Sequence, residues 1–401
     1  MVKAGRVHSL VRHAAQYGTL ADHVRLDWPA VLRRQREVVA TFQPPVAAME
    51  KTGARVALGR ARFVDAHTVE VDGARLAGEK ILIAAGSEPV VPGIPGRELA
   101  ATSDDVLFLP DFPPSLTLVG GGVIGLEVAS AFADLGSRVT VVGREAEILP
   151  GLDPDVAGYL RTILEAKGVT FRLGAKVARL DGRPGAVTAR LEGGGEITGA
   201  VVCVAAGRRF HPRMLGAEGL GLETAGLGLK VTPYLRSSVP HIYAAGDAAG
   251  RRQLTPVAAW EGRIAALNAL KGDSVRADEA VIPQVIFTTP EAASVGLSHR
   301  ETQTRGITCA VARHDMRGAS NGVASGEDGG YLKLVFDDET KRLLGAQMVS
   351  YAAAELIQFC ALAIRSGASA DTVAAQLSVH PTHGERLLKV FGADLREPCE
   401  A

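Results

Sequence analysis

The chain has 401 residues, 47% of them hydrophobic and 22% charged, enough to bury large cores in roughly two or three domains. Its 44 basic and 44 acidic side chains balance to a formal net charge of +0, so no long-range field draws in nucleic acid or an anionic membrane, and small-molecule chemistry is the expectation. The longest apolar stretch, Leu116 to Ala133, is broken by glycines and Glu127 and fails as a membrane span of about 20 apolar residues.

Met1 to Gln16 is basic and reads as a surface helix rather than a transit peptide, and no hydrophobic signal opens the chain, so the expected location is cytoplasmic. A helix is expected to about Tyr17 and a second from Trp28 through Glu50. Small strands follow at Val56 to Leu58, Arg62 to Val64 and Thr68 to Val71, closed by the Asp72-Gly73 turn. Lys80 to Ala84 is a buried strand that stops at Ala85-Gly86, ahead of the proline-rich Val91 to Gly96.

Ser115 to Val119 is an apolar strand that runs into Gly120-Gly121-Gly122-Val123-Ile124-Gly125, the spacing G-x-G-x-x-G. A helix from Leu126 to Leu135 follows, Gly136 ends it, and Arg138 to Val142 reads as the second parallel strand of a βαβ unit. Such a turn binds a dinucleotide: the glycines bring the backbone close to a pyrophosphate, and the helix start offers unpaired N–H groups and a positive dipole end.

Further on, Asp155 to Lys167 is a helix, and strands are expected within Thr170 to Ala189 and Ile197 to Val204. Three strands end in the same device, at Ala84-Ala85-Gly86, Ala205-Ala206-Gly207 and Ala244-Ala245-Gly246-Asp247. Small residues where a strand meets its loop let the backbone approach a flat or phosphorylated ligand. Past Ala280 the strands Gln284 to Pro290, Gly330 to Phe336 and Leu343 to Val349, with helices Ala352 to Ser366 and Ala370 to Leu377, form an α+β domain. The cysteines Cys203, Cys309, Cys360 and Cys399 lie far apart with no metal-ligand spacing, and they read as buried thiols except for Cys399, which sits near the terminus. No metal site is expected.

Taken together, Ala84 to Pro89, Ile94-Pro95-Gly96, Gly120 to Glu127, Ala206-Gly207-Arg208, Arg236 to Asp247, Phe287 to Glu291, and His380-Pro381-Thr382 with Glu385 resemble, in order, the class I pyridine nucleotide-disulfide oxidoreductases. That family includes mercuric reductase, dihydrolipoamide dehydrogenase and glutathione reductase. The resemblance implies an α/β chain with two Rossmann-like nucleotide-binding domains, the FAD one incomplete at its N-terminus, and an α+β C-terminal dimerisation domain. Residues 1–108 would be the partial FAD domain, 109–232 the NAD(P) domain, 233–279 the return of the FAD domain and 280–401 the dimerisation domain. The implied protein is a homodimeric FAD-dependent NAD(P)H oxidoreductase in which a hydride passes from nicotinamide to flavin and on to a disulfide or metal ion, with a small-molecule or disulfide substrate.

By the same resemblance, Asp247 would bond the flavin's ribityl-phosphate region, with Ala85, Gly86 and Gly246 close to FAD. Gly120 to Gly125 would hold the nicotinamide dinucleotide, with Gly207 nearby and Glu127 beside the flavin. His380, held by Glu385, would be the acid–base partner of the redox thiols across the dimer. A carboxylate on one ring nitrogen fixes an imidazole's tautomer and raises its basicity, which suits that role.

An acidic residue at the end of the second strand would take the ribose hydroxyls of NAD. Here Gly143 stands there, followed by Arg144, which could pair with a 2′-phosphate; NADP is therefore favoured, while Glu145 and Glu147 leave NAD open.

The family pattern begins with its own G-x-G-x-x-G for FAD and a C-x-x-x-x-C disulfide, yet nothing before Gly120 has that glycine spacing and no cysteine precedes Cys203. Met1 to Arg6 resembles the residues just after the second redox cysteine, which would make Lys3 the partner of Glu127. Two explanations stand: a start recorded too late in an active but, as written, impaired reductase, or a non-catalytic dimeric remnant that binds a nicotinamide nucleotide. His241 to Asp247 and Leu362 to Arg365 resemble the mercuric branch, but that branch has tyrosine in place of His380 and a C-terminal cysteine pair where this tail has Cys399 alone. His380 with Glu385 fits the disulfide reductases and dihydrolipoamide dehydrogenase better.

Overall fold

The structure, a computed structural model, describes residues 1–43, 45–277, 281–392 and 396–398. It divides into two compact units, one of residues 1–31, 91–206 and 280–401, the other of 32–90 and 207–279.

The first unit is built on two sheets. One is all parallel, in the order Ala101–Thr102, Val201–Val204, Ser115–Val119, Arg138–Val142, Thr170–Arg172. Its central strands are mostly apolar because both faces are covered, and Leu116, Leu118, Val141 and Val202 are fully buried. Helix Val123–Asp134 covers one face with Leu126, Ala129 and Phe132. Helix Val2–Arg12 lies directly on it at Gly5, where a Cβ would stand 2.9 Å from the Ala131 carbonyl oxygen, so only glycine permits this approach. Trp28 adds its ring to Phe112 and Phe132 at centroid distances of 5.4 and 5.9 Å, and its indole N–H donates to the Leu109 carbonyl.

The second sheet of this unit is antiparallel, in the order Gln284–Ile286, Glu291–Gly296, Leu343–Ser350, Tyr331–Asp337, Cys309–Asp315, Arg396–Pro398. Helices Ala353–Ser366 and His383–Gly392 close it over Leu332, Leu334, Phe336, Met348 and Phe391. Lys333, 3% exposed, reaches from this sheet to Asp153 at 3.0 Å and Asp155 at 2.8 Å at the start of helix Pro154–Ala166. A buried ammonium persists only when paired in this way, so the contact ties the helix of the parallel-sheet portion to the antiparallel sheet.

The second unit pairs Ile81–Ile83 with Ile242–Ala244 in parallel and carries the antiparallel sheet Ala61–Phe63, Thr68–Val71, Ala74–Ala77. Asp72 and Gly73, at φ 48° and 83°, make the tight turn that the Asp-Gly dipeptide predicts. Ile83, Phe210, Leu229 and Ile242 form its core, and helix Thr255–Lys271 packs Ile264 and Ala265 against Leu235 and Tyr243.

Several elements differ from expectation. The helix expected over Trp28 to Glu50 is two helices, Trp28–Thr41 and Val46–Glu50, because residues before a proline are disfavoured in helical backbone and Pro44-Pro45 falls between them. Val56 to Leu58 is not a strand, since no neighbouring strand pairs with it among the described residues. The second late helix stops at Ala374 instead of Leu377, which leaves Leu377 exposed. Cys203 and Cys360 are buried free thiols, but Cys309 is disulfide-bonded; burial does not fix a cysteine's redox state when a second thiol is in reach. Cys399 lies outside the described residues.

Candidate functional site

At the end of strand Ser115–Val119 the backbone turns at Gly120, φ 131°, where a Cβ would sit 2.3 Å from the Ala205 carbonyl oxygen. A Cβ on Gly125 would stand 2.1 Å from the Gly120 carbonyl oxygen, so helix and strand can approach only through glycine. Gly122, the N-cap of helix Val123–Asp134, faces open space instead. The turn is held from behind: Gly120 N–H donates to Val142 O at 2.8 Å and Leu149 N–H to Gly121 O at 3.0 Å. What remains toward the open side is the first helical turn at Val123, Ile124 and Gly125, whose N–H groups have no intrahelical acceptor. With the dipole end, they form a cradle shaped for a pyrophosphate.

Gly143 closes the second strand beside this turn. A Cβ there would lie 3.9 Å from the Gly121 nitrogen, which puts position 143 at the rim of the cradle. The next side chain, Arg144, is 80% exposed and bonded to Glu145 at 2.8 Å. Such an exposed pair is weak, and the guanidinium is free to exchange it for a phosphate. Glu147 is turned elsewhere: it accepts from Ile148 N–H at 2.8 Å and lies 3.5 Å from Arg161. Glu127, on the same helix as the cradle, accepts from Phe287 N–H at 2.9 Å, and Ser130 Oγ accepts from Thr289 N–H at 3.0 Å. Burial pushes the Glu127 carboxyl above its ordinary value, with the Phe287 bond acting the other way. Lys3 is exposed and makes no ion pair with Glu127. Gly207, φ 112°, belongs to the second unit, where its carbonyl accepts from Val90 N–H.

In the second unit the ends of two parallel strands bring Ala85-Gly86 and Gly246-Asp247 together. Gly86, φ 70°, has open space where a Cβ would go, and Gly246, φ 63°, faces Ala258. Asp247 accepts from Ser87 Oγ at 2.6 Å, and Arg208 donates to the Ser87 hydroxyl and carbonyl at 3.1 and 2.7 Å. Gly246 N–H donates to the fully buried Glu261 at 2.8 Å, which fixes the turn that presents Asp247. A cavity of about 430 Å³ adjoins, lined by Arg60, Ala85, Glu88, Arg213, Met214 and Leu215. Ser87 and Arg208 lie in the stretches Ala84 to Pro89 and Ala206 to Arg208 that the sequence points to, though neither was given a role there; Glu261 is brought in by folding alone.

His380 and Glu385 meet, Nδ1 to Oε2, at 2.7 Å. The carboxylate is buried, at 4% exposure for the residue, and the imidazole is 69% exposed. Glu385 sits in the first turn of helix His383–Gly392, where a negative charge is favoured, and its N–H donates to Thr382 Oγ1. The bond from His380 holds the Glu385 carboxyl below its ordinary value. Burial pushes the Cys203 and Cys360 thiols up to about 12, so neither offers a thiolate at neutral pH. Among the described residues no group of three or more His, Cys, Asp or Glu could hold a metal ion, and no helix is long and apolar enough to cross a membrane.

Residues 5–262 match the pyridine nucleotide-disulphide oxidoreductase family, and residues 282–390 match its dimerisation domain. The chain belongs to the pyridine nucleotide-disulphide oxidoreductases.

A glutathione reductase of Burkholderia cepacia is 33% identical to it over 396 residues, covering 94% of this chain and 87% of the relative. A dihydrolipoyl dehydrogenase of Geobacillus stearothermophilus is 32% identical, covering 99% and 87%. The solved structure of the HOCl-induced flavoprotein disulfide reductase RclA from Escherichia coli superposes with a TM-score of 0.83 at 27% identity, over 98% of this chain and 89% of that one. This oxidoreductase is therefore flavin-dependent, works with FAD and NAD(P)H, and carries the dimerisation domain of its family. The residues present fit both groups: the open face at Gly122 leaves room for a pyrophosphate, and the open face at Gly86, with the cavity beside Ala85, leaves room for a second nucleotide.

Proposed function

We propose that this oxidoreductase is a homodimer that reduces a small disulfide with NADPH: one disulfide, one NADPH and one proton give two thiols and NADP⁺. The observation that carries this reading is the His380–Glu385 pair, in which the carboxylate is buried and the imidazole faces solvent. Glu385 on Nδ1 orients the ring and leaves Nε2 to carry the moving proton, so His380 can hand a proton taken from solvent to the thiolate that leaves as the substrate disulfide is reduced. An acid–base pair this exposed suits a reacting partner that arrives from outside its own unit, and in a homodimer that partner would be the site of the other subunit.

When bound, the nicotinamide and flavin together supply the two-electron chemistry. The residues that would hold the nicotinamide dinucleotide are Gly120, Gly121, Gly122, Val123, Ile124 and Gly125, with Glu127 on the same helix. Ala85, Gly86, Gly246 and Asp247 would hold FAD, the last through a carboxylate oriented by Ser87. Glycine at 143 removes the acid that would repel a 2′-phosphate, and Arg144 supplies a guanidinium to pair with it, so NADPH is preferred to NADH. Glu145 and Glu147 are drawn to Arg144 and Arg161, which counts against their replacing the missing acid.

The test is His380→Gln, assayed with FAD, NADPH and a small disulfide. General acid–base catalysis contributes about 100-fold or more, so kcat/KM should fall by at least that factor while flavin binding stays the same. An unchanged kcat/KM would overturn the assignment.

A further inference from the structure

The acid–base pair leaves one carboxylate oxygen over. Glu385 Oε2 takes the His380 ring nitrogen at 2.7 Å, while Oε1 is buried and has no hydrogen-bond partner among the described residues. The next residue, Arg386, has the complementary gap: its Nε is buried and also finds no acceptor among the described residues. These two atoms lie 4.0 Å apart, in range of an ion pair but about 1 Å too far for a hydrogen bond. The Glu385 side chain is buried and that of Arg386 is 21% exposed, so water screens neither charge well.

The contact goes against local preference. Adjacent residues on a helix do not face each other, and a cation in a first turn is disfavoured by the helix dipole. Arg386 is the fourth residue of helix His383–Gly392, yet its Nε lies toward Glu385 instead of solvent. Among the described residues it pairs with no other carboxylate. The His380 bond first, and then Lys389 and Arg386, hold the Glu385 carboxyl below its ordinary value against the effect of burial. Strand Cys309–Asp315 brings His314 to the same helix. Burial first and then Arg386 hold that imidazole below its ordinary value; Asp315 opposes them and Lys389 adds to them, so His314 supplies no third cation at neutral pH. Helices Ala353–Ser366 and Ala370–Ala374 carry Glu355, Arg365 and Asp371, none of which moves the Glu385 carboxyl as far as His380, Lys389 and Arg386 do.

We propose that Arg386 is a positioning residue of the acid–base pair: its Nε–H closes the gap and donates to Glu385 Oε1, so that the carboxylate is held on both oxygens. Each of the two unmade bonds is a standing cost, and the one bond that removes both is charge-assisted. A carboxylate held by one oxygen can turn about its soft terminal torsion and, buried as it is, can draw the Nδ1 proton off a neutral His380. Held by both, it stays ionised and fixes the ring, and the moving proton is kept to Nε2. The inference rests on the reading above for what the pair does, but not for the contact itself.

The experiment reads the contact and the activity separately. In full-length protein labelled with carbon-13 at the glutamate carboxyls, the Glu385 resonance is assigned by its loss in Glu385→Gln and titrated with acid. Its midpoint should move to higher pH in Arg386→Gln, and by less in Arg386→Lys, which keeps the charge. In the disulfide assay Arg386→Gln should lower kcat/KM about tenfold, the worth of one hydrogen bond to a charged group, through kcat and with KM unchanged. In the His380→Gln background the same substitution should cost nothing further, because it acts through that side chain. A Glu385 midpoint that Arg386→Gln leaves in place, or that Arg386→Lys moves just as far, would overturn the proposal. So would a loss of kcat/KM as large without His380 as with it. If His380→Gln itself leaves kcat/KM unchanged, the disulfide reading fails, and the Glu385 midpoint still decides the contact.

Discussion

Glu385 is buried and its partner His380 is not, and this asymmetry makes the pair visible in solution. A carboxyl held below its unfolded value contributes stability that is present above that value and lost as pH falls through the folded one. His380→Ala removes the largest cause of the depression, with Lys389 and Arg386 left to act, so the acid-unfolding midpoint, followed by circular dichroism, should move to higher pH. On the proposed pairing of its guanidinium with a 2′-phosphate, Arg144→Ala should weaken NADPH binding about tenfold and leave NADH unchanged; fluorescence titration with both coenzymes checks it. Cys203 and Cys360, with thiols near 12, should resist iodoacetamide in the native protein at pH 8 and react once it is unfolded. The His380–Glu385 bond was legible from the five-residue spacing of the pair, and the place of Gly143 beside the glycine turn from its position at the end of the second strand. Glu261 was not, because it meets Gly246 only once helix Thr255–Lys271 has folded back over the strand end.

At the scale of the element, the glycine turn fixes how helix Val123–Asp134 meets its strand. Gly125→Ala would put a methyl 2.1 Å from the backbone oxygen of Gly120, which no rotamer change relieves. Overpacking of this kind costs about 1–3 kcal/mol, so the thermal midpoint should fall by several degrees and coenzyme binding should weaken with the distorted cradle. The strand, turn and helix here were readable from a largely apolar strand and the glycines that follow it. The antiparallel sheet was only partly so. Tyr331–Asp337 announces itself through Tyr, Val and Phe and Leu343–Ser350 through its apolar length, but Glu291–Gly296 is rich in alanine and serine, and Cys309–Asp315 is buried on both faces over its first half. Neither shows the alternation that marks a half-exposed strand. The break between Trp28–Thr41 and Val46–Glu50 was written in Pro44-Pro45, a local signal that outweighs the helical composition around it.

At the scale of the molecule, one unit joins the coenzyme cradle and the acid–base pair through a buried charge. Lys333 bridges Asp153 and Asp155, and Asp153 also accepts from the His299 and Arg300 N–H groups. Lys333→Met would strand the buried Asp153 carboxylate, at a cost of about 3 kcal/mol or more, and chemical denaturation should read that loss as a lower midpoint. The order of motifs along the chain was enough to indicate the family, whereas this bridge joins positions far apart in the sequence and left no trace there. One anaerobic measurement tests disulfide reduction most directly. The protein is mixed with FAD, NADPH and a small disulfide, and NADPH loss is followed together with free thiol. Two thiols should form for each NADPH consumed. NADPH oxidised without thiol release, or no oxidation in the presence of bound flavin, would contradict it.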